Sequence, residues 1–348
     1  MSTSSWPAAR SATPPPSRSA EARGQALASL AALQGLRPEW EALWAQVPQA
    51  SPFQHPAWLL PWWRHVGRGT LAAVAVRSGA GELVAFAPLH ACPQGDRRRL
   101  FPLGMATTDD LTPLVRPGWQ AQAAHCIGQH IAGQAACDAV ECPQQRRGSI
   151  LLELACAPGW QQAACACEPH PVLDLRDPQA IPKAMRDNVR HCRSRGERAG
   201  ALRLQTAGAQ QLEECLAALE RLHARRWAAR GQAGVLHDPA VRAMHREAAP
   251  QLQAAGLLRL HALRVDGAIA AVAYCLQHAR RCHYYIGGFD PAQAAISPGT
   301  LLVAHAIEQA RSEACTEFDF LRGREAYKYR WGAVDEPRFA LRRWRAAS

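Results

Sequence analysis

Residues 295–310, AISPGTLLVAHAIEQA, read as an amphipathic helix with an unusual start. Ser297 suits the N-cap, Pro298 is preorganised for the first helical position, and Gly299 offers bare backbone. No acidic residue stands in the first turn, although unpaired N–H groups and the positive end of the helix dipole favour one there. The spacing predicts that the amides of Gly299, Thr300 and Leu301 face outward. A diphosphate placed against them would accept their hydrogen bonds and gain about 1–2 kcal/mol from the dipole. A well-capped helix with no ligand fits the same residues. The stretch also mimics a G-x-S-x-G nucleophile elbow with Ala295 in the first position. Pro298 argues against that chemistry, because it has no N–H to give an oxyanion.

Working outward, three strand-like runs precede this helix: LLRLHALRV, AIAAVAYCLQH and CHYYIGG, with turns at Asp266-Gly267 and around Arg280. Two helices come before them, joined by GQAGVLHD, whose glycines suggest mobility. Earlier still are a strand, ALRLQTA, and a basic helix carrying Arg186, Arg190 and Arg193 on one face. After the 295–310 helix stand a strand in TEFDFL, a helix-turn in REAYKYRWGAV and a last strand in PRFALRRWRA.

The first half has the same texture. Residues 1–22, rich in Ser, Pro, Ala and Arg, cannot bury enough apolar surface to order and read as a disordered tail. Helical spacing runs from Ala22 to Val47, broken at Gly35 and Pro38, and a Trp-rich helix follows. LAAVAVRS, ELVAFAPLH, RLFPLG, DAVEC and SILLELA read as strands around a helix near Trp119–Gln134. This half shows no acid/base cluster. Asp109 and Asp110 in TTDDLT read as a solvated turn.

At 348 residues the chain has length for two domains, with boundaries expected at 23–175 and 176–348. Hydrophobic residues make up 48% and charged ones 20%, so a globular class fits and a disordered or fibrous one does not. No apolar run reaches the roughly 20 residues of a membrane span and the N-terminus lacks a secretory core, so a cytoplasmic location is expected. The net charge of +11 rests on arginine, since only Lys183 and Lys328 are lysines, and it favours anionic ligands. The twelve cysteines have neither a disulfide framework nor paired zinc spacing, and no metal is expected; Cys165, Cys167 and His170 form an incomplete C-x-C-x-x-H.

RLHARRWAARGQAGVL, HYYIGGFDP, ISPGTLLVAHAIEQA and FDFLRGREAYKYRWGA, with the element order above, resemble the GNAT acyltransferases over residues 181–348. The cellulose-biosynthesis-type acetyltransferase group is the nearest in motif. The whole chain is similar in plan to the Fem-type peptidyltransferases, which join two GNAT-like units. The fold class implied is α/β (α+β): tandem GNAT-like domains, each a mixed, mostly antiparallel sheet flanked by helices. A departure is the missing Q/R-x-x-G-x-G/A phosphate loop.

The resemblance implies acetyl-CoA or another acyl-CoA as co-substrate, direct attack of an acceptor amine on the thioester, and a gap between the strand before the helix and the strand after it. Ser297, Gly299, Thr300 and Leu301 are then the cofactor-binding candidates. His283 and Tyr285 border the gap on one strand and Asp319 on the other. Strand alternation sets Asp319 opposite Phe318 and Phe320, making it the candidate base or acceptor anchor. Tyr327 is a candidate proton donor, and Lys328 a candidate for holding acceptor or phosphate. The acceptor implied is a small-molecule or cell-envelope and polysaccharide-precursor amine. Two alternatives remain open: a Fem-like transferase whose donor is charged tRNA, for which the Arg186, Arg190 and Arg193 face is the footprint, and a non-catalytic GNAT module.

Overall fold

The computed structural model describes residues 21–345 apart from 96, 135–136 and 157, so nearly all of the expected tail lies outside the described residues. In the second unit the strands Leu202–Thr206, Leu258–Val265, Ala268–His278, Arg281–Phe289, Glu317–Asp319, His170–Asp174 and Val334–Glu336 lie side by side in that order. Every pair is antiparallel except Arg281–Phe289 with Glu317–Asp319. The hairpins form where sequence places them: Asp266-Gly267 and Ala279-Arg280 all carry positive φ, as tight two-residue turns require.

The first unit holds two sheets, one of four strands and one of six. Strands Ala22–Leu27, Ala73–Ser78, Leu83–Ala87 and Leu114–Val115 make the first. Thr70–Leu71, Leu89–Gln94, Arg97–Pro102, Ala139–Gln145, Phe339–Arg345 and Trp160–Ala166 make the second. Pro88, which interrupts the run from Leu83 to Gln94, marks the change from one sheet to the other.

A division at 175 therefore separates the chain by sequence but not by pairing. His170–Asp174, expected in the first unit, pairs with Glu317–Asp319 and Val334–Glu336 in the second sheet. Phe339–Arg345, expected in the second unit, lies between Ala139–Gln145 and Trp160–Ala166 in the first. Other expectations change locally. Ala22–Leu27 is an edge strand rather than the start of a helix, and the helices are Leu30–Gly35 and Arg37–Gln46. SILLELA forms the short helix Ile150–Glu153 rather than a strand. The glycine of GQAGVLHD nearest the second helix is a packing requirement: Gly234 has φ +70°, and a Cβ there would lie 2.5 Å from His223 Cε1 and Trp227 Cδ1.

Helices cover both faces of the second sheet. Lys183–Ala199 and Pro298–Ser312 pack on one face, with Leu301, Leu302 and Ile307 buried against Ala271, Ala273 and Cys275. Leu212–Ala228 and Pro239–Ala254 take the other face, and their core continues into the first unit through Trp40, Phe53 and Trp58. The helix Pro56–His65 docks on Pro239–Ala254, where Glu247 accepts from Arg64 and lies 2.7 Å from His65 Nε2. One hydrophobic core thus crosses the seam, which fixes how the two sheets face each other.

Candidate functional site

The parallel ladder between Arg281–Phe289 and Glu317–Asp319 is short. Arg281 faces Glu317, Cys282 faces Phe318, His283 faces Asp319, and there pairing ends. The first strand runs on from Tyr284 to Phe289 with no partner on that side. On its other side the register skips Tyr285, since Tyr274 faces Ile286 and Cys275 faces Tyr284. Tyr285 is therefore a bulge, a device that bends a strand and takes one residue out of the ladder.

A pocket of about 370 Å³ lies against this opened length. Tyr284, Phe289, Tyr327 and Val303 give it apolar walls, the helix start from Ser297 to Thr300 forms one end, and Arg226, Arg230 and Arg330 border it. Arg226 donates from Nη1 to the Gly287 carbonyl at 3.0 Å and sits over the Phe289 ring at 5.0 Å. Arg230 sits over Trp227 at 5.6 Å. Stacking leaves guanidinium edges for an anion while the apolar stems line the wall.

The helix start differs in detail from expectation. Ser297 is left-handed, with φ 54° and ψ 59°, and its side chain makes no cap bond. Its carbonyl instead accepts from Thr300 N at 3.0 Å and Leu301 N at 3.3 Å. Thr300 and Leu301 therefore do not offer free amides, and the Leu301 side chain is buried in the core. Gly299 borders the pocket, in a first turn with no acidic residue.

The catalytic candidates sort by side-chain direction. Asp319 is wholly buried. Its Oδ1 accepts from Leu321 N at 2.7 Å, while Oδ2 lies 3.3 Å from both His170 Nδ1 and His283 Nδ1 and 3.7 Å from Arg281. Burial works against its charge, but His170 and His283 hold the carboxyl well below its ordinary range. Enclosed by these partners, Asp319 borders neither this pocket nor solvent. Tyr285 turns away from the pocket. Its hydroxyl donates to the Thr107 carbonyl at 2.8 Å across the seam, and its ring lies among Phe53, Trp58 and His245.

Lys328 is also committed internally. Its ammonium is buried and donates to the carbonyls of Leu321 at 3.0 Å, Arg322 at 2.7 Å and Gly323 at 3.2 Å. It ties down the turn that follows the splayed strand, so phosphate or acceptor cannot claim it. Tyr327 does border the pocket, and burial raises its hydroxyl above the ordinary tyrosine range, which keeps it a neutral donor.

Sequence reasoning missed the seam. Asp109 and Asp110 are both buried, not solvated. Burial raises the Asp109 carboxyl, with Arg322 Nε 2.7 Å away opposing it. Burial also works to raise Asp110, but Arg146 and Arg338 outweigh it and hold that carboxyl low. A second pocket of about 440 Å³ follows the seam between the units, bordered by Arg146, Arg281, His283, Glu336 and Arg338. Neither aspartate lines this pocket; Asp110 reaches it only through its ion pair with Arg146. Among the described residues no three His, Cys, Asp or Glu side chains group to hold a metal ion. His170 is turned to Asp319, while Cys165 lies on the exposed edge strand Trp160–Ala166 of the other sheet.

Residues 183–329 match the model of the acetyltransferase (GNAT) domain family. Among solved structures the chain is similar to FemX, with TM-score 0.65 and 12% identity over 87% of this chain and 95% of that one. It is similar to a conserved protein of unknown function from Bacteroides thetaiotaomicron, with TM-score 0.58 and 12% identity over 91% and 97% of the two chains. It is also similar to L-PGS from Bacillus licheniformis, with TM-score 0.56 and 13% identity over 89% and 91%. Identities this low carry the fold alone. No curated protein matches the sequence. With the strand order, the short parallel ladder and the helix that follows the opened strand, the match identifies residues 183–329 as an acetyltransferase (GNAT) domain, in a chain whose two-unit fold is similar to that of FemX.

Proposed function

We propose that the protein is an acyl-CoA-dependent N-acyltransferase, acetyl being the expected acyl group, that acts on the amine of a small molecule or of a cell-envelope or polysaccharide precursor. The observation that carries this reading is the opened strand beside an arginine-bordered pocket with apolar walls. The residues fit the chemistry of such a donor. Arg226, Arg230 and Arg330, with the Gly299 amide at a helix start, suit a diphosphate. Tyr284, Phe289 and Val303 suit an uncharged arm, and backbone at the Tyr285 bulge lies where a carbonyl needs an N–H to stabilise growing negative charge. Holding donor and amine in one geometry supplies much of the acceleration expected for direct attack.

The test is a thermal-shift titration with CoA and acetyl-CoA, followed by thiol release with a panel of amines. Wild type is expected to be stabilised in a saturable way. The Arg230→Ala/Arg330→Ala variant, at two exposed positions, should keep its unliganded Tm and weaken CoA binding by about 100-fold or more, since hydrogen bonds to charged groups contribute about 1.5–3 kcal/mol each. No stabilisation of wild type by either compound would remove the reading.

A charged-tRNA donor is a second reading, favoured by one observation. The helix Lys183–Ala199 lends Met185 and Asn188 to the donor pocket while exposing Arg186, Arg190 and Arg193 beside it. RNA affinity that falls steeply between low and moderate salt, without saturable CoA binding, would favour it.

A further inference from the structure

The seam pocket and the donor pocket meet the same short ladder. Tyr284, which borders the donor pocket, follows directly on His283, which borders the seam pocket. Adjacent residues of a strand point to opposite faces, so an acceptor in the seam and an acyl donor in the first pocket would approach the opened ladder from opposite sides. The two routes meet next to the last paired residues, His283 and Asp319.

His283 is placed there in a particular manner. The residue is only 2% exposed. Its Nδ1 lies 3.3 Å from Asp319 Oδ2, and Asp319 is itself pinned by Leu321 N and flanked by His170 and Arg281. Phe53 meets the ring edge-on at 5.6 Å. The negative charge beside Nδ1 favours the tautomer with hydrogen on that nitrogen and leaves Nε2 with its lone pair, the arrangement that makes a histidine a general base. The charged and titratable groups facing the ring are Asp319 and Arg281 from the second sheet, Arg146 from the first unit, and His278. Among the described residues neither ring nitrogen of His283 makes a protein hydrogen bond: Nδ1 is buried without one, so Asp319 Oδ2 at 3.3 Å acts on it through charge.

We propose that the seam pocket is the acceptor channel and that His283, oriented by Asp319, accepts the proton released by the acceptor amine. This rests on the acyl-transfer reading above. In the step, the amine nitrogen bonds to the thioester carbonyl carbon and the C–S bond breaks, the sulfur leaving with the electron pair. The proton from nitrogen passes to His283 Nε2, directly or through one water. Arg281, Glu336 and Arg338 are paired with one another, while Arg147 at the same pocket is exposed and stacks on Phe339, so the channel suits an acceptor that carries an anionic group near its amine, such as an amino acid or an amino sugar bearing a carboxylate.

Two readouts test this. In protein labelled with nitrogen-15 histidine, His283 should show a protonated Nδ1 and an unprotonated Nε2, and the Nε2 signal should move on titration with lysine or muramic acid as amine probes. The reverse tautomer, with hydrogen on Nε2, would sink the proposal whatever the activity. His283→Gln should then lose about 10²–10⁴-fold in kcat while its shift with CoA stays that of wild type. If His283→Gln fails to fold, Asp319→Asn replaces it, with the expected outcome that the wild-type tautomer preference is lost. Wild type that ignores CoA would remove the donor reading, whereas a His283→Gln enzyme with wild-type turnover removes this one alone.

Discussion

At the scale of single residues, direction decided more than identity. Tyr285, Asp319 and Lys328 stand at the gap as their positions in sequence suggest, yet each faces inward onto protein partners. The resemblance set Tyr285 at the gap without revealing the bulge that takes it out of the ladder, and a bulge has no sequence signature without a diagnostic glycine. The role of Lys328 was hidden for a different reason. Its partners are three carbonyls of its own turn, where Leu321 and Gly323 both have positive φ. Removing the ammonium strands those acceptors in a buried place, so Lys328→Met should cost about 3 kcal/mol of stability. Denaturant unfolding checks this; a variant with wild-type midpoint and a raised KM would return Lys328 to the ligand.

At the scale of elements, the long periodic segments were legible. The three antiparallel strands, their two tight turns and the helix Pro298–Ser312 follow from alternation, β-branched and aromatic content, and helix signals. Trp160–Ala166 and Val334–Glu336 escaped notice. The first is exposed and poor in β-formers, and the second has three residues. Which sheet a strand joins is a tertiary fact that local pattern does not encode, hence the exchange of His170–Asp174 and Phe339–Arg345. The exchange makes a strong prediction. Truncation after Arg338 leaves Ala139–Gln145 and Trp160–Ala166 without the strand that lies between them. Amide exchange should then accelerate by at least about 100-fold across Ala139–Gln145, with donor-pocket amides affected much less. Uniform protection across the shortened chain would refute the assignment.

At the scale of the whole molecule, one core and many buried histidines set the response to acid. Burial lowers His55, His245 and His261 to about 4, from an ordinary value near 6.5, so all three are neutral in the folded protein at pH 7. The unfolded chain takes up protons first as pH falls through 6.5, and stability is therefore present above that value and lost between about 6.5 and 4. If each group gives up roughly 1 kcal/mol, Tm should fall by roughly 4 °C from pH 7 to pH 4.5. A flat profile in calorimetry over that range would show that these rings are charged or solvated in the native state.

The closing strand carries a consequence for biogenesis. A nascent polypeptide leaves the ribosome N-terminus first, so the six-stranded sheet cannot zip shut until residues 339–345 emerge, nearly two hundred positions after Ala139–Gln145. During synthesis that sheet waits as two unjoined flaps with raw edges. Maturation of this sheet is thus governed by synthesis of a strand far downstream, and chaperone occupancy on stalled chains should persist until residues 339–345 have left the ribosome.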